Sequence, residues 1–230
     1  FIMKKFIFLL FSLFCISCAK EDKKPASIKV KTTTAAFIEV RNPIDDIILW
    51  DNKTDTIYPN EKNEFLFTKT IDKPEFVRVI IGEKWLKLIL LPGKEIVINA
   101  KDSTYVFEGT NKAGMELFNN FKRPSFSMKE SNKYKNDSTA VQVQQKIKPL
   151  KQAELKELQE LVATKKIDAA LAEILQKEID YFYAQRTAQV VVLKQYQSIP
   201  INDNLLALFD ETLTTYPLQT SYKPSSWEMY

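Results

Sequence analysis

The chain holds two cysteines, Cys15 and Cys18, spaced as C-x-x-C. In a folded domain that spacing supports thiol–disulfide exchange, because a helix N-terminus lowers the pKa of one thiol. Such a pair needs a strand before it and a helix after it. Here Lys4-Lys5 and the nine-residue apolar run Phe6 to Phe14 come before, and the charged stretch Ala19 to Lys24 comes after. A cationic start, a short apolar core and a small residue before a polar break make a secretory leader, cleaved after Ser17. Cleavage there discards Cys15, so the two thiols cannot cycle together. The apolar run covers only about 14 Å as a helix, against roughly 30 Å of hydrocarbon, so it does not span a membrane.

With a cysteine directly after the cleavage point, the segment resembles a bacterial lipoprotein signal. That resemblance implies lipidation of Cys18 as the mature N-terminus, with signal cleavage between Ser17 and Cys18. Cys15 stands three before the lipidated residue, where an aliphatic side chain is commoner. One acyl chain binds a membrane only marginally, but the several implied here anchor firmly. The expected location is the cell envelope, on the outer or inner membrane, with the periplasmic side favoured over the cell surface. Lys20-Glu21-Asp22 resembles the charged export signal of Bacteroidetes surface lipoproteins, its alternative being a solvated linker.

The rest of the chain offers little for catalysis. It has no histidine and no cysteine after Cys18. Ser-His-Asp triads, Cys-His nucleophiles, the usual zinc sites and carboxylate–histidine di-iron bundles all need one or the other. Asp45-Asp46, Asp51 and Asp55 have the chemistry for calcium, but that ion takes six to eight oxygens and no EF-hand spacing is present; they read as turn residues. Glu154, Glu157 and Glu160 recur every third position beside Lys151 and Lys156. An acid/base pair needs a facing wall and a perturbed pKa, so these read as a solvated helix face. Trp50, Phe65, Phe67, Trp85, Tyr105 and Phe107 have the flat surfaces that stack on sugars, but strand alternation assigns them to a core. Tyr222, Trp227 and Tyr230 suit docking onto a following domain. The basic loop Lys129 to Lys135 carries no phosphate signature, and only four glycines occur, so Gly-rich phosphate loops are absent. No catalytic, cofactor or metal residue is nominated, and the chain reads as a non-enzyme. Its formal charge is +4, falling to +2 once Lys4 and Lys5 leave with the signal, too balanced for a nucleic-acid partner.

The elements must be large enough to hold a core, and 45% hydrophobic residues suffice. Residues 18–27 read as a tether. From 28 to 110, about eight short runs of β-branched and aromatic residues alternate with Pro, Gly, Asn and Asp turns, including a hairpin turn at Asp51 to Asp55. That spacing predicts an antiparallel β-sandwich or open barrel. Over 111–216 the period becomes helical. Met115 and Phe118 mark a first helix. Val141, Ile147, Leu150, Leu155, Leu158 and Leu161 mark a second, which Pro149 should kink or split. Ile167 to Leu193 mark a long third, and Asn202-Asp203-Asn204 offers caps for a fourth. Residues 217–230 read as a tail or linker. The fold class is α+β.

The order of these modules, with Leu90-Leu-Pro-Gly-Lys-Glu-Ile-Val-Ile98 and Tyr105-Val-Phe-Glu-Gly-Thr-Asn-Lys-Ala-Gly114, resembles a known family. It is similar to the N-terminal β domain and helical linker of Bacteroidetes TlpA-like, thioredoxin-like disulfide reductase lipoproteins, over about residues 18 to 215. The resemblance implies a non-catalytic accessory region for positioning or partner binding. The alternative is a standalone, surface-exposed lipoprotein that binds a ligand on its sheet. Two departures stand out. Asn63-Glu64 replaces an Asp-Gly common in the family, and the catalytic C-x-x-C of the family's thioredoxin domain matches no position here.

Overall fold

The computed structural model describes residues 23–44, 47–101, 104–121 and 132–217, without side chains over 43–52. Ser17, Cys18, Lys20-Glu21-Asp22, Asp45-Asp46, Tyr222, Trp227 and Tyr230 lie outside the described residues, as do the side chains of Trp50 and Asp51.

Alternating side chains build the first half. Its strands are β1 (Lys24–Lys31), β2 (Ile38–Ile44), β3 (Ile47–Ile57), β4 (Glu64–Ile71), β5 (Glu75–Ile81), β6 (Lys84–Leu90), β7 (Glu95–Lys101) and β8 (Thr104–Glu108). They form two four-stranded sheets, ordered β4-β1-β7-β8 and β3-β2-β5-β6. Ile28, Val30 and Ile98 of the first sheet and Val40, Val79 and Leu88 of the second are fully buried in one core cluster. Among the described residues four α-helices follow: α1 (Lys112–Asn120), α2 (Ala140–Ala163), α3 (Ala169–Tyr196) and α4 (Asp203–Thr215). The α+β class expected from the sequence is the one formed.

Three local expectations need correction. The sandwich is not wholly antiparallel, because β1 runs parallel to β7, with Ile28 opposite Ile96 and Val30 opposite Ile98. Five strands separate this pair in sequence, so no hairpin dictates its direction, and side-chain alternation is the same either way. The tether is shorter than 18–27: β1 begins at Lys24, Ala26 is fully buried, and the Gly93 N–H donates to the Pro25 carbonyl. The expected turn at Asp51 to Asp55 is instead the middle of β3, paired with β2 from Ile38↔Ile57 to Pro43↔Asn52. Its polar composition suggests a turn, but cross-strand pairing prevails, and Asp55 accepts a hydrogen bond from the Asn42 side chain at 2.9 Å.

Helix α1 fills the opening between the edge strands β6 and β8, burying Met115, Leu117 and Phe118. Phe118 packs on Phe76 with centroids 5.9 Å apart. Asn119 finishes the seal. Its side-chain amide accepts from the Lys87 N–H at 3.0 Å and donates to the Lys87 carbonyl at 2.8 Å, pairing the exposed edge of β6 as a strand would.

Helix α2 stays continuous through Pro149 although the ring removes the bond to the Gln145 carbonyl. Thr139 and Gln142 form a reciprocal capping box at its start. Its buried residues are Val143, Ile147 and Leu158, while Val141 and Leu150, expected inside, are exposed. Helix α3 is buried along most of its length, and Asn202 caps α4 as expected, accepting from the Leu205 N–H.

The two halves are latched at the start of α3. Asp168 caps that helix through the Leu171 N–H. Asn111, just before α1, donates to the Asp168 carboxylate and accepts from its N–H, both at 2.9 Å. Lys94, beyond the Pro92-Gly93 turn, reaches the same carboxylate at 3.5 Å. Below it Gly114 lies so close to α3 that an added Cβ would stand 2.5 Å from Leu171 and 2.9 Å from Ile167. Partial burial pushes the Asp168 carboxyl up. Hydrogen bonds from Leu171 and Asn111, with the charge of Lys94, outweigh this and hold it below the usual aspartate range.

Candidate functional site

The outer faces of the two sheets differ in kind. On the first, cations meet anions: Lys29 pairs with Glu95 at 3.9 Å and Lys31 with Glu108 at 3.8 Å. This is an ordinary solvated face.

On the second sheet the register stacks like charges. Arg41 of β2 stands opposite Arg78 of β5, and Arg78 stands opposite Lys87 of β6. Three cations thus cross three adjacent strands in one row. Since Lys87 turns its backbone groups outward to Asn119, it meets Arg78 in the close, non-hydrogen-bonded kind of pair. The next row reads Thr56, Glu39, Ile80 and Trp85. Glu39 holds Arg41, accepting from its Nε at 3.2 Å and its Nη2 at 2.9 Å. Arg78 has no carboxylate within ion-pair distance among the described residues. Its guanidinium stacks on the Trp85 ring, 4.5 Å from the centroid. Burial, and then the charge of Arg41, lower the pKa of Arg78 from its ordinary value.

Trp85 corrects an expectation. Phe65, Phe67 and Phe107 are core residues as read, and Tyr105 packs edge-on to Phe107 at 5.5 Å. Trp85 is 62% exposed. In β6 it is Leu86, Leu88 and Leu90 that point inward, so Trp85 falls in phase with Lys87 on the solvent side. That phase was present in the sequence. The row joining Arg41, Arg78 and Lys87 was not, because it depends on which strands pair.

The glutamates of α2 divide. Glu157 and Glu160 are exposed, while Glu154 is half-buried and accepts a hydrogen bond from Tyr183 at 3.0 Å. Lys151 does not serve these glutamates. It pairs with Asp180 and donates to the Tyr216 hydroxyl at 3.1 Å, tying the end of α4 to α2 and α3. A cleft of about 530 Å³ lies between α1, α2 and α3, lined by Phe121, Tyr134, Glu154, Phe182 and Arg186. Its rim at Phe121 and Lys133 adjoins residues 122–131, outside the description, so the cleft is not assigned as a site. The loop holding Lys133 and Lys135 is fastened by its carbonyls, which accept from Lys146 and Lys194.

Among the described residues, no group of three or more His, Cys, Asp or Glu is placed to hold a metal ion, and no helix is long and apolar enough to cross a membrane. No protein-family model, curated protein or solved structure matches the chain.

Proposed function

We propose that the protein is a lipid-anchored module of the bacterial cell envelope that acts by binding, through the outer face of the β3-β2-β5-β6 sheet. Lipid on Cys18 ties it to the membrane, and the short segment up to Lys24 holds the sandwich near the surface. On this reading the chain is non-catalytic and carries no cofactor. By its resemblance to the front of thioredoxin-like lipoproteins, it positions a disulfide reductase or another envelope protein, more often facing the periplasm than the outside.

One observation carries the binding role. Trp85 lies on the solvent face, stacked on Arg78, which stands opposite Arg41. An exposed indole and an arginine without a carboxylate are features of a contact surface.

Two experiments test the reading. Cys18→Ser should release the protein from membranes and abolish fatty-acid labelling; a variant that stays membrane-bound, with no label on the wild type, contradicts it. For the accessory role, the coding sequence beyond Tyr230 should continue into a strand–helix unit bearing C-x-x-C, and a stop codon there contradicts that role. The same exposed face also suits a standalone surface binder. Protease treatment of intact cells separates the two, since cleavage from outside supports the surface binder and protection supports the periplasmic module.

A further inference from the structure

We propose that the outer face of the second sheet binds a carboxylated polysaccharide built of uronic-acid-type sugars, with Trp85 stacking on a sugar ring and Arg78 pairing with a ring carboxylate. This deepens the binding-face reading and rests on it.

Like charges directly opposite one another destabilise a sheet. Arg41 and Arg78 occupy such positions on neighbouring strands, and Glu39 answers only the first of them. The first sheet, with Lys29 and Lys31 each paired to a glutamate, shows how the same sandwich neutralises a face. Within the row the two arginines differ. Glu39 takes the Nε and Nη2 edge of Arg41, whereas Arg78 forms no ion pair among the described residues. Its fork is therefore the one that accepts a carboxylate in bidentate fashion. Stacking on Arg78 holds the indole in place, so the platform is organised before a ligand arrives. Burial, and secondarily the charge of Arg41, lower the pKa of Arg78.

The indole favours a glycan over an acidic peptide. A peptide carboxylate can pair with Arg78, but aspartates and glutamates give Trp85 no flat apolar face. A pyranose ring gives both, its C–H face to the indole and its carboxylate to the guanidinium.

The test uses the full-length lipoprotein in detergent, titrated calorimetrically with a short oligouronate, with its carboxyl-reduced neutral counterpart and with polyglutamate. The oligouronate should bind, and the other two should bind about tenfold more weakly or not at all. Trp85→Ala and Arg78→Gln should each weaken oligouronate binding about tenfold or more. Glu39→Gln, which frees the Arg41 fork, should strengthen it, an effect no loss of structure would produce. Should Arg78→Gln fail to fold, the surface variant Trp85→Ala still decides. No oligouronate binding, or equal binding of the reduced sugar, overturns the proposal. Polyglutamate binding that equals the oligouronate and is lost in Trp85→Ala overturns the sugar class while keeping the face. Binding that none of these variants alters overturns the face itself. Fatty-acid labelling of Cys18, read on the same preparation, reports separately on the envelope reading.

Discussion

Gly114 and Asp168 show how single residues set the joint between sandwich and helices. Alanine at 114 gains up to about 1 kcal/mol of helix propensity, but its Cβ meets Ile167 and the fully buried Leu171, so core side chains must shift to admit it. Overpacking of this kind costs about 1–3 kcal/mol. Gly114→Ala should therefore lower the urea midpoint, and an unchanged or higher midpoint contradicts the close packing of α1 on α3. At Asp168 the sign follows from the direction of its pKa. The folded-state pKa is depressed, so its contribution is present above the ordinary aspartate value of about 3.9 and is lost as pH falls through the folded value. Asp168→Asn keeps a capping oxygen but loses the attraction to Lys94. Between about pH 7 and pH 3 the wild type should lose more stability than this variant; equal losses contradict the role of the charge. Residue types alone did not reveal the joint. Asn111 and Lys94 are far apart in sequence, and only the fold brings them to one carboxylate, with Gly114 packed against Leu171 beside them.

At the level of elements, what was legible follows from what each signal reports. Alternation reports faces, so most of the strands and their inward residues were readable from Ile28-Lys29-Val30 or Leu86-Lys87-Leu88, although β3 reads as two strands around a turn. It says nothing of partners, which is why the parallel pairing of β1 with β7 and the cation row of the second sheet were hidden. Composition reports turns only where pairing does not override it, as it does in β3. Helix capping is local, and Asn202 and Asp168 behave accordingly. The helical period of α2 placed Leu150 and Val141 inside, but both are exposed, because periodicity reports the phase of a stripe and not which part of it a partner covers. Pro149 in the same helix is exposed and contributes no buried packing. Pro149→Ala restores a backbone bond and should raise stability, by about 1–3 kcal/mol given the usual cost of proline in a helix interior. Thermal unfolding checks this; a lower melting temperature would show that α3 and α4 require the proline-shaped form of α2.

On the proposed reading a lipid signal leads into the sandwich, which has one face of paired charges and one on which Arg41 stands opposite Arg78, with the helical half locked to it through Asp168. Its sequence has no histidine and no cysteine after Cys18, and its distinctive exposed feature is Trp85 stacked on Arg78. The functional reading joins that surface to the anchor: the lipid holds the protein at the membrane while Trp85 and Arg78 engage a partner. The envelope part of that reading depends on the first mature residue. The most direct measurement is the mass of the N-terminal peptide of the protein recovered from the membrane fraction of its native host. The account predicts a peptide that begins at Cys18 and carries covalent acyl groups. A peptide that retains residues 1–17, or that begins elsewhere without lipid, contradicts it.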